Sequence, residues 1–105
     1  MTKKIIIIGS GFSSISASTY LADKGYDVTI LEKNKSFGGR ARKFKEQGFT
    51  FDMGPSWYWM PDVFEKYFND FNKSVDDYYT LKKLDPAYRV YFAKNDFCLL
   101  YTSDA

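Results

Sequence analysis

The 105-residue chain contains no histidine. That absence excludes imidazole acid–base work, Ser-His or Cys-His nucleophilic pairs and His-ligated metals within these residues, and no metal site is expected. Cysteine is nearly absent as well. Cys98 stands alone, so no internal disulfide can form and a reducing compartment is expected. It lies in the apolar run Phe97-Cys98-Leu99-Leu100-Tyr101, which reads as structural rather than as the setting of a reactive thiol. Charge of either sign is balanced, with a formal net charge of +2. So small an excess, without a basic stripe interleaved with stacking aromatics, argues against a nucleic-acid partner. Long apolar runs are missing too: none approaches the roughly 20 residues that cross a bilayer. Lys3-Lys4 ahead of Ile5 to Ile8 looks like the start of a leader, but the patch is too short and glycine ends it. A cytoplasmic chain, with at most peripheral contact on the cytoplasmic membrane face, is the expectation.

What is present is informative. Gly9-Ser10-Gly11 comes directly after Ile5-Ile6-Ile7-Ile8, and Glu32 ends a second apolar run, Asp27-Val28-Thr29-Ile30-Leu31. Residues 4–8 read as a fully buried parallel strand, being β-branched, continuous and bounded by glycine. Residues 12–24 read as a helix with a ridge of small residues, Ser14, Ser18 and Ala22, and Gly25 suits its left-handed cap. Residues 27–31 read as a second parallel strand. Strand, glycine turn, helix, strand and terminal acid together make a dinucleotide site. The turn brings backbone N–H groups to a pyrophosphate, the helix N-terminus offers partial positive charge, and the acid accepts from ribose hydroxyls. The third glycine of the G-x-G-x-x-G pattern is replaced by Ser14, a position that controls helix–strand closeness rather than phosphate contact. Glu32 would repel a 2′-phosphate, which disfavours NADP; glycines plus acid do not separate NAD from FAD.

Downstream, residues 33–40 form a polar, glycine-bearing loop in which Gly38-Gly39-Arg40 lets the backbone approach a second part of the ligand. Arg40 is placed to form charge-assisted hydrogen bonds to a pyrophosphate, whereas Arg42 and Lys43 read as solvated. Two short strands are expected over 41–45 and 49–52, a break at Gly54-Pro55, and a helix over 61–72 with proline in its first turn. Its apolar stripe, Val63, Phe64, Tyr67, Phe68 and Phe71, suits packing against a sheet. A strand pair over 88–93 and 97–101 closes the series. Only two parallel strands are visible, too few to bury both faces of a doubly wound sheet, so the chain reads as the N-terminal piece of a longer protein.

Gly9-Ser10-Gly11-Phe12 with Glu32-Lys33, then Gly38-Gly39-Arg40-Ala41, then Gly48-Phe49-Thr50-Phe51-Asp52-Met53-Gly54-Pro55-Ser56 resembles the N-terminus of the bacterial-type phytoene desaturases. These are FAD-dependent carotenoid desaturases related to the amine oxidase flavoproteins. The resemblance continues through Trp57-Tyr58-Trp59-Met60-Pro61 and Leu84-Asp85-Pro86-Ala87-Tyr88-Arg89-Val90. It implies an α/β fold: a Rossmann-like FAD-binding βαβ unit with an incomplete sheet, followed by the start of an α+β substrate domain. The boundary would put 1–56 in the cofactor domain and 57–105 in the substrate domain. Gly9, Ser10, Gly11, Phe12, Ser13 and Ser14 would line the FAD pyrophosphate. Glu32, followed by Lys33, would hold the adenosine ribose. Gly39 and Arg40 would run along the pyrophosphate and ribityl chain, and Gly54, Pro55 and Ser56 would approach the flavin ring.

The resemblance also implies a reaction. A carotenoid precursor such as phytoene, a lipophilic polyene, would lose a hydride to the flavin and a proton to a base or water. No catalytic base is identified; Asp52 is nearest by motif position, but reads as a structural acceptor for loop amides. Trp57, Tyr58, Trp59 and Met60 admit three readings: lining an apolar tunnel, meeting a membrane, or core packing. A flavin-dependent polyene isomerase or saturase is an alternative on the same fold. A non-catalytic dinucleotide-binding fragment is the expectation for these 105 residues taken alone. The polyene, the electron acceptor and the oligomeric state are not set by the sequence.

Overall fold

In the computed structural model, which describes residues 2–54 and 57–101, the chain divides into two compact units, Met1–Trp59 and Met60–Ala105. The first opens with β1 (Lys4–Ile8), α1 (Phe12–Asp23) and β2 (Asp27–Leu31). β1 and β2 pair in parallel from Lys4 opposite Asp27 to Ile8 opposite Leu31. Two further bonds lengthen the ladder, Asp27 N–H to Lys3 O at 3.0 Å and Gly9 N–H to Leu31 O at 2.6 Å. The second of these carries the pairing into the glycine turn, so the turn is anchored to the end of β2. Helix α1 closes where expected, with the Gly25 N–H on Ala22 O at 2.9 Å and Gly25 at φ +82°.

Helix α1 packs on β1 and β2. It shelters Ile5, Ile7 and Val28, which are half-buried, while Ile6 is 66% and Ile8 86% exposed. The expectation of a fully buried strand is therefore corrected. A two-stranded sheet with one helix has one covered face, and alternate side chains of β1 point to the other. The continuous isoleucine run describes a strand suited to cover on both sides, and the described residues cover one.

Two antiparallel strands, β3 (Arg42–Glu46) and β4 (Phe49–Met53), complete the described part of this unit. Glu46 faces Phe49, leaving Gln47 (φ +48°) and Gly48 (φ +84°) as a two-residue turn whose positive φ values match the twist of the flanking strands. Phe44 and Phe51 occupy paired positions and stack at 4.8 Å between ring centroids.

In the second unit, α2 (Pro61–Asp70) begins with proline at its first position, behind Met60 in a left-handed conformation. A short 3₁₀ turn, Val75–Asp77, is held by a reciprocal cap: Ser74 Oγ accepts from Asp76 N–H and Asp77 Oδ2 accepts from Ser74 N–H. The apolar stripe of α2 was expected on a sheet. Among the described residues it packs on this 3₁₀ turn, where Val75 is buried, and Phe68 meets the rings of Tyr78 and Tyr79. Aromatic side chains are long enough to build this cluster without a sheet beneath them. The last elements among the described residues of this unit form the hairpin β5 (Tyr88–Ala93) and β6 (Asp96–Leu100), with Ala93 opposite Asp96. Cys98 lies exposed on β6, not in a core. No helix among the described residues is long and apolar enough to cross a membrane.

Candidate functional site

Three segments meet at the carboxyl end of β1 and β2. The first is the glycine turn. Gly9 follows β1, Ser10 is 4% exposed, and Gly11 precedes α1 with φ −74° and ψ 175°. The first helical bond, Ile15 N–H to Gly11 O, leaves the amides at the start of α1 without intrahelical acceptors. Phe12 and Ser13 are exposed there and Ser14 is half-buried.

The second segment is the loop after β2. Glu32 turns back over the glycine turn and takes four hydrogen bonds. Its Oε2 accepts from Ser10 N–H at 2.8 Å and Ser10 Oγ at 2.6 Å; its Oε1 accepts from Asn34 N–H at 2.9 Å and Asn34 Nδ2 at 2.8 Å. The Ser10 hydroxyl contributes most to holding the Glu32 carboxyl at about 2, down from an ordinary 4.5. The Asn34 and Ser10 backbone amides and the Asn34 side chain act in the same direction, against partial desolvation. The acid is thus ionised at neutral pH and fixed at the mouth of the turn. Lys33 points to solvent beside it.

The third segment is the Gly38-Gly39-Arg40 turn. Gly38 N–H donates to Ser10 O at 2.8 Å, and Gly39 lies so close that an added Cβ would stand 3.1 Å from the Cα of Gly11. A side chain there would require the glycine turn to give by a few tenths of an ångström, and the φ of +61° at Gly39 itself favours glycine. Arg40 is exposed and has no ion-pair partner among the described residues. Its carbonyl oxygen lies against Gly54, the residue after β4. Pro55 and Ser56 fall outside the described residues. Asp52 is exposed on β4 opposite Lys43, and no loop amide among the described residues donates to its side chain.

A cleft of about 430 Å³ opens beside Glu32. Ile15, Ile30 and Phe37 give its lining apolar surface, and Ser10, Asn34, Lys35 and Ser36 line it with polar groups. Sequence reasoning brought Ser10, Gly11, Glu32 and Gly39 to this end of the sheet and missed Asn34. A signal was available: an Asx residue two positions after an acid at the end of a strand has its backbone and side-chain donors in reach of that acid. Among the described residues there is no cluster suited to a metal ion.

A parallel strand–helix–strand crossover with a glycine turn at one end and an acid on the second strand defines a Rossmann-type dinucleotide-binding unit. The chain belongs to the family of NAD(P)-binding Rossmann-like domains, whose model matches residues 7–73. It is 53% identical over 92 residues to a carotenoid 3,4-desaturase of Haloarcula japonica, covering 88% of this chain and 19% of that protein. It is 43% identical over 101 residues to a 4,4′-diapophytoene desaturase (4,4′-diaponeurosporene-forming) of Staphylococcus aureus, covering 96% of this chain and 20% of that one. The chain therefore spans about a fifth of the length of these relatives. Among solved structures it is similar to a CLA-producing fatty acid isomerase from P. acnes, with a TM-score of 0.53 and 27% identity over 71% of this chain and 18% of the other. The resemblance to the carotenoid desaturases stands on these relatives, and the family indicates a dinucleotide cofactor.

Proposed function

We propose that the protein carrying this chain is an FAD-dependent oxidoreductase that desaturates a carotenoid precursor, with this segment holding the adenosine and pyrophosphate of the cofactor. One observation carries the cofactor reading. Gly11 has an ordinary φ, and a Cβ built on it meets no atom within 4 Å, so the fold itself leaves room for alanine there. The glycine is accounted for by the close approach of a ligand, not by packing. Glu32, fixed by the adjacent Ser10, supplies the carboxylate that a sugar diol requires. The desaturase relatives named above supply the reaction class and the lipophilic polyene substrate.

The residues present fit such a group. Gly9, Ser10 and Gly11 with the first turn of α1 would take the pyrophosphate on backbone amides, Glu32 the adenosine ribose, and Arg40 would add charge to the phosphates. Gly39 keeps the Arg40 loop close to that turn. When bound, FAD supplies the hydride acceptor for removing hydrogen from an allylic C–C bond. What this chain contributes is binding and orientation: Glu32 and the glycine turn fix one end of an elongated cofactor, and so its reach. Peripheral contact with a membrane face, through exposed aromatics such as Trp57 and Trp59, belongs to this proposal as the route to a lipid-soluble substrate.

The test is the absorption spectrum of the purified full-length protein. Flavin bands that vanish from a correctly folded Gly11→Ala variant are the expected result, since a methyl group intrudes on the ligand and not on the fold. A colourless protein with bound NAD would overturn the proposal. The likeness to the fatty acid isomerase favours a second reading, in which the same cofactor shifts double bonds without net oxidation. Analysis of the products formed from a C30 or C40 polyene separates the two.

A further inference from the structure

We infer that Asn34 is a place-holder on Glu32, a specificity-determining residue whose side-chain amide occupies the carboxylate position that a ribose hydroxyl takes on binding. The inference rests on the adenosine-binding reading of Glu32 and deepens it. A carboxylate offers about four lone-pair positions. In this structure all four are used: Ser10 N–H and Oγ on Oε2, Asn34 N–H and Nδ2 on Oε1. The orientation of the Asn34 amide follows from charge, because the reverse setting would put its carbonyl against the carboxylate. An incoming sugar hydroxyl must therefore displace one of four donors.

The four are not equally replaceable. Two are backbone amides held by the glycine turn and by the loop after β2. The Ser10 hydroxyl belongs to a residue that is 4% exposed, so solvent offers it far less replacement than it offers an exposed side chain. The Asn34 side chain is exposed, and rotation about χ1 returns its amide to solvent without loss of packing. Its amide is the one that yields. While it stays, the Asn34 side-chain amide holds Oε1 in position; when it leaves, Oε1 keeps the Asn34 backbone bond and gains the sugar.

Two ligands separate this role from a merely structural one: ADP, and 2′,3′-dideoxy-ADP, which lacks both hydroxyls. On flavin-free full-length protein, Asn34→Ala should bind ADP about three- to tenfold more tightly, as removal of one competing hydrogen bond implies. Binding of the dideoxy compound should not change. In the unaltered protein, the Asn34 side-chain amide resonances should move on addition of ADP and stay in place with the dideoxy analogue; this measurement is independent of how the variant folds. Equal effects on both ligands, weaker or unchanged ADP binding in Asn34→Ala, or an Asn34 amide that ignores ADP would each overturn the place-holder and leave the dinucleotide reading standing. An unaltered protein that binds neither ADP nor FAD would overturn both.

Discussion

Glu32→Gln is expected to lower the affinity for ADP and for FAD by about 10- to 100-fold, the range for losing hydrogen bonds to a charged acceptor, and to lower the denaturation midpoint at neutral pH as well, because the ionised carboxylate also supports the fold. The neutral amide keeps the shape of the side chain. It replaces two acceptor oxygens with one, and presents donor hydrogens to Ser10 or Asn34, themselves donors. Titration calorimetry on flavin-free protein reads the loss directly. A variant that binds as tightly as the parent would remove Glu32 from the site. The same carboxylate has a defined pH dependence. Its pKa in the folded chain is about 2 against an ordinary 4.5, so the folded state holds the ionised form more strongly than the unfolded one does. Its contribution to stability is fully present above about pH 4.5 and disappears as the pH falls towards 2. Carboxyl-carbon NMR should show Glu32 titrating near 2, and Ser10→Ala should move it upward, because the Ser10 hydroxyl is the largest cause of the depression.

Gly54→Ala is expected to be the most destabilising single methyl addition in the first unit. A Cβ at position 54 would overlap the carbonyl oxygen of Arg40, and φ there is +132°, where side chains other than glycine's are strained. The obstacle is backbone, so no flexible side chain can move aside. Relief requires the exit of β4 or the Arg40 loop to shift. A cost of about 2–4 kcal/mol is reasonable for combined strain and overlap. The shift should also disturb Gly39 and hence its close approach to Gly11, so reduced flavin content should accompany a lower denaturation midpoint. Gly11→Ala supplies the contrast: it is expected to lose flavin while keeping its melting curve. Unchanged melting and flavin content in Gly54→Ala would show that the two segments are not packed as described.

The local order of elements was legible because each has a short-range cause. The β-branched run of β1, the small-residue ridge and Gly25 cap of α1, and proline at the start of α2 each act within a few residues. A turn between β3 and β4 was legible for the same reason, although the sequence set it at Glu46-Gln47-Gly48 and the pairing of Glu46 with Phe49 shortens it to Gln47-Gly48. Burial was not legible in the same way. The pattern of β1 states which partners would suit it, whereas the exposure of Ile6 and Ile8 depends on which faces are covered. The stripe of α2 likewise declared an apolar face without naming its partner, which among the described residues is a 3₁₀ turn bearing Val75.

At the site the same division holds. Glycines at 9, 11 and 39, an acid at 32 and a cation at 40 follow from residue type and spacing, because a phosphate needs bare backbone and a sugar diol needs a carboxylate. Their mutual arrangement rests on contacts between segments distant in the chain: Glu32 reaching back to Ser10, Gly39 meeting Gly11, and Arg40 passing under Gly54. Such contacts depend on where β2 ends relative to the glycine turn, which the parallel pairing of β1 and β2 decides. Composition and periodicity carry no record of that geometry; the hold of Asn34 on Glu32, by contrast, spans two residues and had its signal in the sequence, while only the fold set it against Ser10 on the same carboxylate.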